Sequence, residues 1–172
     1  MPLKRLYYFL FFLAAIGLLS LSESCSVRYG FKDVSIPDTV KTIRINFIEN
    51  RAPYVNAQLS PRLTEQVRRK VTGQTKLTVT NSDNAQWDIK ATITDYSVST
   101  SGVSNKQETI NRLTVTVDLT ITKGDKEEKH TISRPFDFPA NRSLQSAEAS
   151  SAYDELIRGL TDDIFNRLFS SW

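Results

Sequence analysis

Residues Leu113 to Thr122 alternate without interruption. Leu113, Val115, Val117, Leu119 and Ile121 fall on one side, and Thr114, Thr116, Asp118, Thr120 and Thr122 on the other. Successive side chains of a strand point to opposite faces, so this period of two makes one apolar and one polar sheet face. An apolar sheet face must be buried against another layer, which restricts the chain to a layered fold.

Other segments repeat the pattern. Thr42 to Phe47 sets Ile43, Ile45 and Phe47 against Thr42, Arg44 and Asn46. Lys76 to Thr80 gives a short strand with Leu77 and Val79 inward. Trp87, Ile89, Ala91 and Ile93 alternate with polar residues, and the apolar parity then shifts to Tyr96 and Val98. One extra residue near Asp95 produces such a shift, so a β-bulge is predicted there. Ser99 to Glu108 is polar and reads as a flexible loop. Lys123-Gly124-Asp125-Lys126 has the composition of a hairpin turn, leading into a strand from about Glu128 to Phe136 with His130, Ile132 and Phe136 on one side. Pro135 places that strand at a sheet edge, or itself near the strand end.

Two segments carry helical spacing. Leu63, Val67 and Val71 recur every four residues, with Ser60 as the expected cap, Pro61 at the first position and Gly73 as the end. Ser146 to Phe169 places Ala149, Tyr153, Leu156, Ile157, Leu160, Ile164 and Leu168 on one stripe, with Gly159 a weak point inside it. The fold class is therefore α+β: a two-layer sandwich, two helices packed on one face of a mostly antiparallel sheet of four to five strands.

The N-terminus constrains location. Lys4 and Arg5 precede an apolar run from Leu6 to Leu19, and small residues lead to Cys25, the single cysteine of the 172-residue chain. The run is 14 residues, short of the ~20 that a membrane-spanning helix needs. A basic start, a short apolar core and small residues before the cut read as an export signal, residues 1–24; a retained anchor is the rival. Cys25 has no internal disulfide partner, and lipid attachment explains an unpaired thiol in an exported chain. Leu21 sits four residues before it rather than three, and Glu23 intrudes, so an ordinary secretory cut is the other reading. Residues 25–39 then serve as a lipidated tether, and 40–172 as one domain.

Chemistry is sparse. The chain has 22 Lys and Arg against 19 Asp and Glu; the first 24 residues hold two of the bases and one of the acids, leaving 20 against 18. That balance gives no footprint for nucleic acid. His130 is the one histidine and has no evident nucleophile or carboxylate set around it. Neither a metal-ligand spacing nor a glycine-rich phosphate loop occurs, so no catalytic residue, metal or cofactor is assigned. Asp162-Asp163 and Glu127-Glu128 read as solvated surface. The exposed face of the first helix is basic, with Arg62, Arg68, Arg69 and Lys70. Those four are candidate contacts for phosphates or anionic head groups, against the simpler reading of a solvated face.

A resemblance adds to this. "SIP" at Ser35–Pro37, Asn50-Arg51-Ala52, Val55-Asn56, Leu59-Ser60, the stretch Asn111 to Val117 and the "DIFNR" of Asp163–Arg167 resemble the LptE family of lipopolysaccharide-assembly lipoproteins in its Bacteroidetes form. The resemblance covers nearly all of the mature chain. It implies a non-enzymatic outer-membrane lipoprotein of α/β sandwich fold. Such a protein sits inside the β-barrel LptD as a plug, helps it assemble and with it places lipopolysaccharide in the outer leaflet. The implied partners are that barrel, lipopolysaccharide and the outer membrane through the N-terminal lipid, with the domain on the periplasmic side or in the barrel lumen. The alternative is a periplasmic lipoprotein that carries a lipid or other apolar ligand. A carrier needs an enclosed apolar pocket, and a plug needs a solid core and a polar outside.

Overall fold

A computed structural model describes residues 36–101 and 110–169. The elements in order are β1 (Thr42–Ile45), β2 (Glu49–Asn50), α1 (Leu59–Gln74), β3 (Thr78–Val79), β4 (Trp87–Ser101), β5 (Ile110–Lys123), β6 (Lys126–Pro139), α2 (Leu144–Glu148) and α3 (Ser151–Phe169). Together they make the α+β sandwich that the patterning implies. Among the described residues three helices accompany a six-stranded sheet of order β3-β1-β4-β5-β6, with β2 paired to β4. The long strands β4, β5 and β6 are antiparallel, whereas β1 and β2 run parallel to β4 and β3 runs parallel to β1. The parallel pair arises because α1 carries the chain from β1 to β3, a crossover that only parallel neighbours need.

The alternation sorts the faces as expected. Leu113, Val115, Val117, Leu119 and Ile121 are buried, together with Ile43, Ile45, Ile89, Ile93 and Tyr96. Leu59, Leu63, Val67 and Val71 of α1 close over them, as do Tyr153, Leu156, Ile157, Leu160, Ile164 and Leu168 of α3. The register between β4 and β5 shifts between Ile93 and Asp95, at the predicted bulge. This returns Tyr96 to the inner face, where it is 3% exposed. Gly124 has φ of 61°, the left-handed conformation that a two-residue hairpin loop requires. β6 is an edge strand, so Pro135 takes no donor from an interior ladder.

Several boundaries move. β1 ends at Ile45, and Phe47 is 55% exposed while Ile48 turns inward, because the chain leaves the β1 pairing before it joins β2. Ser60 does not cap α1: the helix starts at Leu59, and Ser60 is buried inside its first turn. Gln58 holds the N-cap position without a side-chain capping bond, and the turn before it is held by Asn56, whose Oδ1 accepts from the backbone N–H of Gln58 (2.9 Å) and Leu59 (3.1 Å). Gly73 lies within the last turn, and α1 closes where the Thr75 backbone N–H donates to the Val71 carbonyl. The long C-terminal helix is two helices that part at Ala149-Ser150; Ser143 caps the first by accepting from the Ser146 N–H. The expected loop at Ser99 begins later, since β4 continues to Ser101; the rest of it, 102–109, lies outside the described residues, as do Cys25, the signal and most of the tether.

Candidate functional site

The four basic residues of α1 do not form one open patch. Arg62 pairs with Asp154 and Lys70 Nζ with Asp162 Oδ1 at 2.5 Å, both acids belonging to α3. Each helix advances by eight residues between the two pairs, so α1 and α3 run parallel, with ion pairs roughly 12 Å apart along their seam. Lys70 Nζ also lies 5.1 Å from the Phe165 ring centroid. Arg68 turns back to the sheet, its Nη2 donating to the Ile45 carbonyl at 2.7 Å. Arg69, with Glu65 as its 3.6 Å partner, is the most solvated of the four. The amphipathic pattern fixed which residues lie away from the stripe; which acids stand opposite them depended on α3, 92 positions on in sequence.

The paired acids of α3 separate in the same way. Asp162 meets α1, while Asp163 Oδ2 accepts from Arg134 Nη1 on β6 at 2.5 Å. His130 Nε2 lies 3.7 Å from Glu128 on the same strand. Among the described residues, no cluster of His, Cys, Asp or Glu has the geometry to hold a metal ion.

Two surfaces stand out. The first is the outer face of the sheet, opposite the helices. Along β5 it carries Arg112, Thr114, Thr116, Asp118, Thr120 and Thr122, flanked by Ser97 and Ser99 of β4 and by Thr131 and Ser133 of β6. Its charges are largely satisfied within the face: Arg112 Nε donates to Asp137 Oδ1 at 2.6 Å, and Thr131 Oγ1 to Asp118 Oδ1 at 2.8 Å. The result is a broad, hydroxyl-rich plane.

The second lies at one end of the sandwich, where the loop before α1 meets α2. Tyr54, 47% exposed, stacks on buried Tyr96 with ring centroids 5.3 Å apart. The Tyr96 hydroxyl donates to Glu148 Oε1 at 2.5 Å and lies 3.2 Å from the Tyr153 hydroxyl. A phenol has one hydrogen; since Tyr96 gives its own to Glu148, Tyr153 donates to Tyr96. Burial raises both phenol pKa values, Tyr153 to about 12 and Tyr96 further, where donation to Glu148 adds to the effect. Beside this chain of hydroxyls opens a cavity of about 300 Å³ whose lining includes Tyr54, Gln58, Arg62, Gln145, Glu148 and Tyr153. Sequence reasoning missed this cluster: Tyr153 read as one more stripe residue, and nothing local joins it to Tyr96, 57 positions away.

The profile of one protein family, described as lipopolysaccharide-assembly, LptE, matches residues 40–168. The chain belongs to the LptE family. No curated protein matches this LptE chain. Among solved structures it is similar to rare lipoprotein B from Shewanella oneidensis, at 16% identity over 74% of this chain and 92% of that one, with a TM-score of 0.46. A minor lipoprotein from Acinetobacter baumannii is 17% identical over 76% of this chain and 98% of its own, with a TM-score of 0.43. A hypothetical protein from Chlamydia trachomatis is 13% identical over 74% and 95%, with a TM-score of 0.46.

The sequence pattern around Asn50 and Leu59 has a structural meaning in this LptE chain. Asn50 Oδ1 accepts from the Ala52 N–H at 3.1 Å, and Asn56 Oδ1 from the Gln58 and Leu59 N–H groups at the start of α1. Ala52 and Leu59 are buried. The two asparagine-anchored turns thus hold Pro53, Tyr54 and Val55 outward between them.

Proposed function

We propose that this protein is an outer-membrane lipoprotein that plugs an LptD-type β-barrel, helps it assemble, and with it places lipopolysaccharide in the outer leaflet. Membership of the lipopolysaccharide-assembly family over residues 40–168 carries the reading. The physical form of the domain supports it. Its sheet–helix interior is filled by side chains, and its outer sheet face is polar and self-satisfied. Two cavities among the described residues, of about 280 and 300 Å³, are lined by loop and helix-end residues of mixed polarity. A carrier of apolar ligands draws no support from such linings, whereas a wide barrel presents polar residues to its lumen. No helix of the described residues is long and apolar enough to cross a membrane.

In this reading residues 1–24 are the export signal, Cys25 takes the lipid, 25–39 form the tether and 40–172 the domain. A diacylated cysteine supplies the two acyl chains that stable anchoring needs. Phosphate contacts fall to the basic face of α1, through Arg69 and the solvated parts of Arg62, Arg68 and Lys70. A photo-crosslinking residue at Thr116 or Thr120 is expected to capture the barrel. Mass spectrometry of the mature N-terminus is expected to find acylated Cys25. Capture of no barrel protein from either position, with an unmodified N-terminus, would contradict the reading.

A further inference from the structure

The cavity beside Tyr54 is rimmed by exposed side chains, Tyr54, Gln58 and Gln145, with the core residue Tyr153 at its wall. It joins two tyrosine rings to three primary amides, Asn56, Gln58 and Gln145, and to the ions Glu148 and Arg62. An apolar ligand there would cover the Gln58 and Gln145 amides without offering them hydrogen-bond partners, which is unfavourable. A phosphate would approach Glu148, while the Arg62 guanidinium already faces Asp154. The lining fits a ligand with an apolar face and a rim of hydroxyls. Tyr54 supplies a ring to lie against, set in place by its stack on Tyr96 and by the turns anchored at Asn50 and Asn56. Gln145 supplies both a donor and an acceptor, and Glu148 supplies acceptors. A cavity of about 300 Å³ stands at the small end of ligand sites, which run from ~300 to ~1,000 Å³.

We propose that this cavity is a saccharide subsite, holding one neutral sugar ring with its C–H face on Tyr54 and its hydroxyls on Gln145 and Glu148. The proposal rests on the reading that the protein handles a glycolipid, and it names the part of that ligand bound here. The same chemistry suits a free sugar, so the test carries an arm for each source.

Saturation-transfer NMR on the full mature chain, with glucose, galactose, mannose and N-acetylglucosamine as separate probes, is expected to show contact with at least one of them. Gln145→Ala alters an exposed side chain and should leave the melting profile in place, whereas Tyr54→Ala also removes the stack on Tyr96 and should lower the melting temperature slightly while the chain stays folded. Each is expected to weaken that sugar on the order of tenfold, the worth of one good contact. Displacement of the sugar by detergent-dispersed lipopolysaccharide identifies a glycolipid headgroup as the source, and its persistence identifies a free sugar. Absence of contact with all four probes, or contact that survives unchanged in both variants, overturns the proposal. Co-purification of a barrel is read separately: a barrel recovered without sugar contact sinks this subsite alone, and sugar contact without a barrel sinks the plug reading alone.

Discussion

The guanidinium of Arg134 lies over the backbone of helix α3 at Gly159, where a Cβ would collide with Arg134 Nε and Cζ. One turn further on, Asp163 receives Arg134 Nη1. Gly159 therefore gives the edge strand β6 a route for an ion pair with the helix. Gly159→Ala is expected to gain helix propensity, ~1 kcal/mol, while displacing Arg134 from Asp163. The two effects nearly cancel, so the single variant stays within about 1 kcal/mol of the parent. In an Arg134→Ala background the same change is expected to stabilise by ~1 kcal/mol. Urea unfolding of the four proteins checks this; equal stabilisation in both backgrounds would show that the residues are uncoupled.

Acid should loosen the β1–β4 junction. Asp88 Oδ1 accepts from Arg44 Nε and Asn46 Nδ2, each at 2.7 Å, and the Arg44 hydrogen bond leads in holding its pKa below the usual value, against the opposing effect of burial. A carboxylate with a depressed folded pKa contributes stability that is complete above its unfolded value, ~3.9, and lost as pH falls through the folded one. Asp88→Asn is expected to flatten the fall in stability below about pH 4. Denaturation midpoints across the acid range measure it, and an unchanged pH slope would count against the network.

Alkali should act through the tyrosines. Their raised pKa values contribute stability that is present below the ordinary phenol value near 10 and lost as pH rises through about 12, the raised value of Tyr153. Tyr96 and Tyr153 are expected to ionise only as the chain unfolds, and Tyr153→Phe to cost about 1 kcal/mol for the lost donor to Tyr96. Phenolate absorbance followed beside circular dichroism checks the order. Full ionisation in the folded state would contradict it.

The arginines of α1 should separate by role. Arg68 donates to the Ile45 carbonyl through Nε (3.2 Å) and Nη2 (2.7 Å), so Arg68→Gln is expected to destabilise by about 1.5–3 kcal/mol. Arg69 is solvated, and Arg69→Gln is expected to stay within about 0.5 kcal/mol while weakening binding of lipopolysaccharide. Thermal melts and a binding titration on both variants distinguish a structural arginine from a phosphate contact. Unchanged affinity in Arg69→Gln returns that residue to the plain solvated face.

Local periodicity was enough to read the layers. The run from Leu113 to Ile121, the parity shift near Asp95 and the hairpin at Gly124 all rest on neighbours in sequence, and each stands in the structure. Boundaries were less legible where a distant element decides them. Ser60 has a capping residue's chemistry, yet α1 begins one residue earlier, and Asn56 of the preceding turn accepts from the free N–H groups of Gln58 and Leu59. Gly159 looked like a flaw because the reason for it, Arg134, sits on another strand. The basic face of α1 read as open because the Asp154 and Asp162 of α3 carry no local mark of their pairing. The tyrosine cavity was invisible for the same reason, since its lining comes from the loop at Tyr54, α1, α2 and α3.

The central claim is the partnership with a barrel, and affinity purification of the tagged protein from detergent-solubilised envelopes tests it most directly. The expected result is a stoichiometric partner that changes mobility on heating, as folded β-barrels do, together with lipopolysaccharide. Recovery of this protein free of any heat-modifiable partner, with the tag accessible and the domain folded, would contradict the account.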